Sequence, residues 1–72
     1  MKKIEGFENV YRGKKNGISY IIGTVGELLK MEVLSYCDYN KEAYCFIPQT
    51  GKAYFAKTLE EITELKDKEL SQ

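Results

Sequence analysis

Leu29-Lys30-Met31-Glu32-Val33-Leu34-Ser35-Tyr36-Cys37-Asp38 decides the fold, because its odd positions are the more consistently apolar or small. A period of two is the pattern of a strand with one face buried. A rival signal lies just upstream, where Thr24 followed by Glu27 has the capping-box spacing that opens helices, and Val25, Leu28, Leu29 and Val33 would share a helical face. The strand is the preferred reading, which makes residues 29–38 the first strand of a central sheet.

Tyr39-Asn40-Lys41-Glu42 is a polar break, and Ala43 to Ile47 is a second run rich in strand-favouring residues. Pro48 ends it, since proline has no N–H to give to a ladder. Gln49-Thr50-Gly51 fits a three-residue hairpin loop with glycine at its left-handed last position, and Lys52 to Lys57 returns as a third strand. Closing the loop on Pro48 and Lys52 sets Ile47 opposite Ala53, Phe46 opposite Tyr54 and Cys45 opposite Phe55.

Opposed residues share a face. One face then carries Ala43, Cys45, Ile47, Ala53 and Phe55, extended by Met31, Val33 and Cys37, and is the candidate core. The other carries Leu34, Tyr36, Tyr44, Phe46 and Tyr54. An antiparallel sheet usually turns one polar face to water, so four aromatics on the second face need an explanation. Either that face is also buried, under the N-terminal hairpin or the C-terminal segment, or it is an aromatic patch that meets a partner. On the second reading those five residues are the partner-binding set.

Seventy-two residues make a single small domain, and chains of this size gain little from burial alone. There is no histidine and there are two cysteines, so a four-ligand zinc site is not expected, nor is any cofactor. Cys37 and Cys45 have neither CxxC nor finger spacing and are read as reduced thiols on the apolar face. Met1-Lys2-Lys3-Ile4-Glu5 lacks the apolar run of a signal peptide and no segment approaches a membrane span, which points to a cytoplasmic chain without a membrane partner. Lys plus Arg is 11 and Asp plus Glu is 11, a balance that argues against general polyanion binding and leaves self-association open.

Ile4 to Arg12 reads as a strand that leads into Gly13-Lys14-Lys15-Asn16-Gly17, and Asn16-Gly17 is the strongest hairpin signal in the chain. Ile18 to Gly23 returns. Arg12, Lys14 and Lys15 cluster at the tip, a candidate contact for phosphate or for an acidic surface. Thr58-Leu59-Glu60-Glu61 matches a second capping box, and Leu59, Ile62 and Leu65 give a narrow apolar stripe for a C-terminal helix of about ten residues. A variant reading stops the helix at Glu61 and adds a closing strand at Ile62 to Leu65. Glu69 to Gln72 is expected to be disordered.

The expected fold is mainly β: an antiparallel meander of about five strands curling into a barrel or half-barrel, with a short C-terminal helix and α+β as the alternative class. The order of elements resembles SH3-like small barrels in outline. Without histidine the usual general base is missing, and no catalytic constellation stands out, so an enzyme is not expected. No small-molecule substrate is indicated. The leading expectation is a small accessory or inhibitory module that modulates a partner protein, the partner being another protein or a second copy. A nucleic-acid-binding barrel, using the same aromatics plus the basic tip, is the alternative, and a structural or self-associating role is the third.

Overall fold

The computed structural model describes residues 1–71. It contains, in order, β1 (Lys2–Lys3), β2 (Val10–Lys15), β3 (Ile18–Thr24), α1 (Val25–Lys30), β4 (Tyr44–Pro48), β5 (Tyr54–Ala56) and α2 (Leu59–Leu70). The strands form a five-stranded antiparallel meander, β1-β2-β3-β4-β5, that does not close into a barrel.

The β2–β3 hairpin turns on Asn16 and Gly17, with φ of 51° and 79°. Both angles are positive, as a type I′ turn requires. The ladder then runs from Lys15 opposite Ile18 to Val10 opposite Gly23. The strand expected from Ile4 begins only at Val10, because Gly6 takes a φ of 91° and reverses the chain. Ile4 N–H donates to the Val10 carbonyl at 2.8 Å, and Lys2 and Lys3 pair with Arg12 and Tyr11 as β1.

Residues 29–38 are not a strand. The capping box wins: the Thr24 side chain accepts from the Glu27 N–H and α1 opens there. β3 consequently pairs with β4 directly, Ile22 facing Phe46 and Gly23 facing Cys45. Five strands remain, but β1 replaces the lost one.

The β4–β5 hairpin keeps its expected register, with Phe46 opposite Tyr54 and Cys45 opposite Phe55, and adds Tyr44 opposite Ala56. Gly51 takes a φ of 92° in the loop. Both faces of the sheet are core. On one, Val10 and Cys45 pack with Val25 and Leu28 of α1 and with buried Ala43, while Met31, Leu34, Cys37, Ile47, Ala53 and Phe55 pack around them. On the other, Tyr20, Ile22 and Phe46 pack under Ile62 and Leu70 of α2.

α2 opens on Thr58, whose side chain accepts from the Glu61 N–H. It is one continuous helix through Ile62–Leu65 and on to Leu70, so no closing strand forms there, and Leu70 is buried rather than frayed. Gln72 lies outside the described residues. Burying Ile62, Ile22 and Phe46 fully stabilises this face by roughly 1.5–3 kcal/mol per side chain. Buried Lys66 holds its ammonium 5.4 Å from the centre of the Tyr20 ring and 2.7 Å from Asp67, and Asp67 reaches Lys15 at 3.0 Å. The Asn16 amide donates to the Leu70 carbonyl, tying the helix end to the hairpin tip.

Candidate functional site

The chain between α1 and β4, residues 31–43, has no regular structure, and irregular loops of about this length are uncommon in small domains unless they carry function. It is pinned at both ends to α1. At the helix C-terminus the Glu32 N–H donates to the Leu29 carbonyl and the Val33 N–H to that of Leu28, the paired bonds of a Schellman motif. Glu32 stands at the left-handed position with a φ of 62°. At the helix N-terminus the otherwise unpaired N–H groups of Val25 and Gly26 donate to the carbonyls of Ala43 and Lys41. A Cβ on Gly26 would stand 3.3 Å from that Lys41 oxygen, so glycine permits the approach.

Between these pins the loop turns some side chains in and others out. Met31, Leu34 and Cys37 pack on the α1 side of the sheet, and the Tyr39 ring centre lies 4.6 Å from that of Phe55. Tyr36 is 85% exposed, Val33 46% and Tyr39 44%. Only Met1 joins them among the exposed large apolar residues of the described chain. Glu32, Asp38, Lys41 and Glu42 surround them, all exposed.

The five residues expected to form one partner-binding face are therefore not brought together. Tyr44, Phe46 and Tyr54 do share a face, but Phe46 is fully buried beneath α2 and stacks on Tyr54 at 5.4 Å. Leu34 belongs to the cluster on the opposite side of the sheet, and Tyr36 projects from the loop. Val33, assigned to the core by alternation, is exposed, and Tyr39 was hidden in a polar break. The signal that could have found them is the Thr24–Glu27 box, since a helix there leaves the following residues off the sheet.

The basic tip divides as well. Arg12 and Lys14 lie on the α1 face of β2, where Lys2, paired with Arg12, joins them. Lys15 points to the α2 face and is held by Asp67. Arg12 and Lys14 thus stand on the face opposite Tyr44, Phe46 and Tyr54, while Lys15 shares the face of those aromatics and the Lys52 ammonium lies 5.5 Å from the Tyr54 ring centre, so the three tip cations are not gathered around them.

Four of the described groups, Glu27, Cys45, Tyr54 and Asp67, have shifted acidity. Burial pushes the Cys45 thiol up to about 12, with nearby Cys37 adding to the shift, so Cys45 is not a nucleophile at neutral pH. Both cysteines are free. Burial pushes the Glu27 carboxyl up, but hydrogen bonds from Asn9, Thr24 and the Glu8 backbone outweigh it and hold the group below the ordinary carboxylate range. Glu27 is a structural tie, accepting from the Asn9 side-chain amide at 3.0 Å. Among the described residues no three His, Cys, Asp or Glu side chains are placed to hold a metal ion, and no helix is long and apolar enough to cross a membrane.

A scan against protein-family models finds no match to this chain, and neither do searches of curated proteins and of solved structures.

Proposed function

We propose that this chain is a non-catalytic binding module that modulates a partner protein, in an accessory or inhibitory role, through the Met31–Ala43 loop with Tyr36 as its anchor. The observation that carries this reading is the concentration of Val33, Tyr36 and Tyr39 as exposed large apolar groups, Tyr39 with its ring against Phe55, on a loop fastened at both ends to α1. A side chain that is 85% exposed contributes little to its own fold, whereas tyrosine is favoured where interfaces concentrate their energy. Fastening matters equally, because a loop already held in shape loses less entropy on binding. The partner suited to it offers an apolar pocket for the ring, with a basic rim for Glu32, Asp38 and Glu42.

Lys2, Arg12 and Lys14 on one face support nucleic acid as the second reading.

Affinity capture from lysate of the source organism, with and without nuclease, tests the first reading against the second. The wild type is expected to retain a protein regardless of nuclease. Tyr36→Ser is expected to weaken retention about 30-fold, as loss of a hot-spot residue does. Its melting temperature should stay within about 4 °C, as for an exposed substitution. Unchanged capture by Tyr36→Ser removes the loop reading, and capture abolished by nuclease moves the function to the basic face.

A further inference from the structure

We infer that Asn16 is a site of spontaneous deamidation, at which conversion to aspartate or isoaspartate unfastens the C-terminal end of α2 from the sheet it covers. Asn16 and Gly17 form the exposed tip of the β2–β3 hairpin, and nothing lies within 4 Å of where a Gly17 Cβ would stand. Among the described residues no backbone acceptor takes the Gly17 N–H. The Gly17 nitrogen is therefore free to lose its proton to hydroxide and attack the carbonyl carbon of the Asn16 side chain. A bond forms from that nitrogen to Cγ, the Cγ–Nδ2 bond breaks, and ammonia leaves. Water then opens the cyclic imide at either carbonyl, giving aspartate or isoaspartate.

The other asparagines lack this arrangement. Asn9 precedes branched Val10, and its side-chain amide donates to Glu27. Asn40 precedes Lys41, and its side-chain oxygen accepts from the Glu42 N–H.

The role of the Asn16 amide in the fold sets the consequence. Its Nδ2 donates to the carbonyl of Leu70, the last residue of α2, and Leu70 is buried in the cluster of Tyr20, Ile22, Phe46 and Ile62. A carboxylate in that place has no hydrogen to give. It faces instead the negative end of the α2 dipole. Lys15 and Lys66, the cations of this corner, are already taken by Asp67, and Lys14 lies on the other face of β2. Lys68 and Glu69 line the groove on the β5 side. Isoaspartate adds a second fault, since it carries the main chain through the side chain and lengthens it by a carbon atom. The tight turn that sets Lys15 opposite Ile18 does not survive that insertion. Neither product reverts to asparagine, so the hairpin tip is a slow, one-way clock on the fastening of α2.

Ageing the folded wild type at mildly alkaline pH, with peptide mapping by mass spectrometry at intervals, tests the proposal. Asn16 is expected to gain the mass that separates an acid from an amide, with isoaspartate among the products, while Asn9 and Asn40 stay amides. Asn16→Asp, which changes the charge without lengthening the chain, should lower the melting temperature by about 4–8 °C and speed amide exchange in the last turn of α2. Asn16→Gly keeps the turn and removes the donor without adding a charge, so its melting temperature should fall less. An Asn16 that stays an amide as long as Asn9 and Asn40 do overturns the site. An Asn16→Asp chain as stable as Asn16→Gly, or one whose α2 exchanges no faster than in the wild type, overturns the unfastening.

Discussion

The main chain of Glu32 has a φ of 62°, a left-handed conformation that costs a residue with a Cβ roughly 1–2 kcal/mol. The cost is tolerated because the turn it makes satisfies the Leu28 and Leu29 carbonyls and launches the exposed loop from the end of α1. Glycine at that position would make the same Schellman bonds without the steric penalty. Glu32→Gly should therefore stabilise the fold by about 0.5–1 kcal/mol, after the added freedom of the unfolded glycine is subtracted. Differential scanning calorimetry should read this as a rise in melting temperature of roughly 2–8 °C. A fall would mean that the Glu32 side chain contributes more to the fold than its exposed position indicates.

At the scale of elements, the decisive pairing is β4 against α2. Phe46 is fully buried: it lies between Tyr20, whose ring it meets edge-on at 5.9 Å, and Tyr54. Phe46→Ser should cost at least the 3–5 kcal/mol typical of removing a buried aromatic, and more for the hydroxyl left in an apolar site. Thermal denaturation is expected to show a chain largely unfolded at 25 °C; a fold that survives intact would place the core of this face elsewhere. That Tyr44, Phe46 and Tyr54 share a face was legible from residues alone, because hairpin turn chemistry at Gly51 fixes register, and register fixes faces; that Tyr20 and Ile22 join them in a core follows only from the pairing of β3 with β4. The cover was harder to read. α2 presents a stripe of apolar residues that announces docking but not the face it docks on. Residues 29–38 misled for a related reason: alternation there reflects a helix end followed by a loop whose Met31, Leu34 and Cys37 dip into the core, not a strand. A four-residue capping signal outweighed a ten-residue pattern because it satisfies hydrogen bonds locally, before any sheet exists to reward alternation. The candidate site suffered most, since Val33 and Tyr36 are residues the false strand would have paired and Tyr39 lies in the polar break that follows it.

Across the whole molecule, one carboxylate latches each helix to the N-terminal half of the sheet. Glu27 of α1 holds Asn9 at the start of β2, and Asp67 of α2 holds Lys15 at the tip of the same strand, so β2 is fastened on both faces. Hydrogen bonds from Lys66 and Lys15 hold the Asp67 carboxyl below its ordinary range, and those from Asn9 and Thr24, against the opposing push of burial, do the same for Glu27. A carboxyl lowered in the folded state stabilises fully above its unfolded value, near 4, and that contribution drains away as pH falls through the lowered folded value. The chain has no histidine, so no imidazole titrates between pH 5 and 8 to mask this behaviour. Urea midpoints are therefore expected to stay level from pH 7 to about 5 and then to fall as both latches protonate. The Glu27→Gln/Asp67→Asn variant should be less stable at pH 7, lose less on acidification, and converge on the wild type as pH falls through the lowered folded values of the two carboxyls. Parallel curves for the two proteins would mean that acid acts through other carboxylates. Convergence would identify β2 as the strand through which the two faces of the sheet are held together.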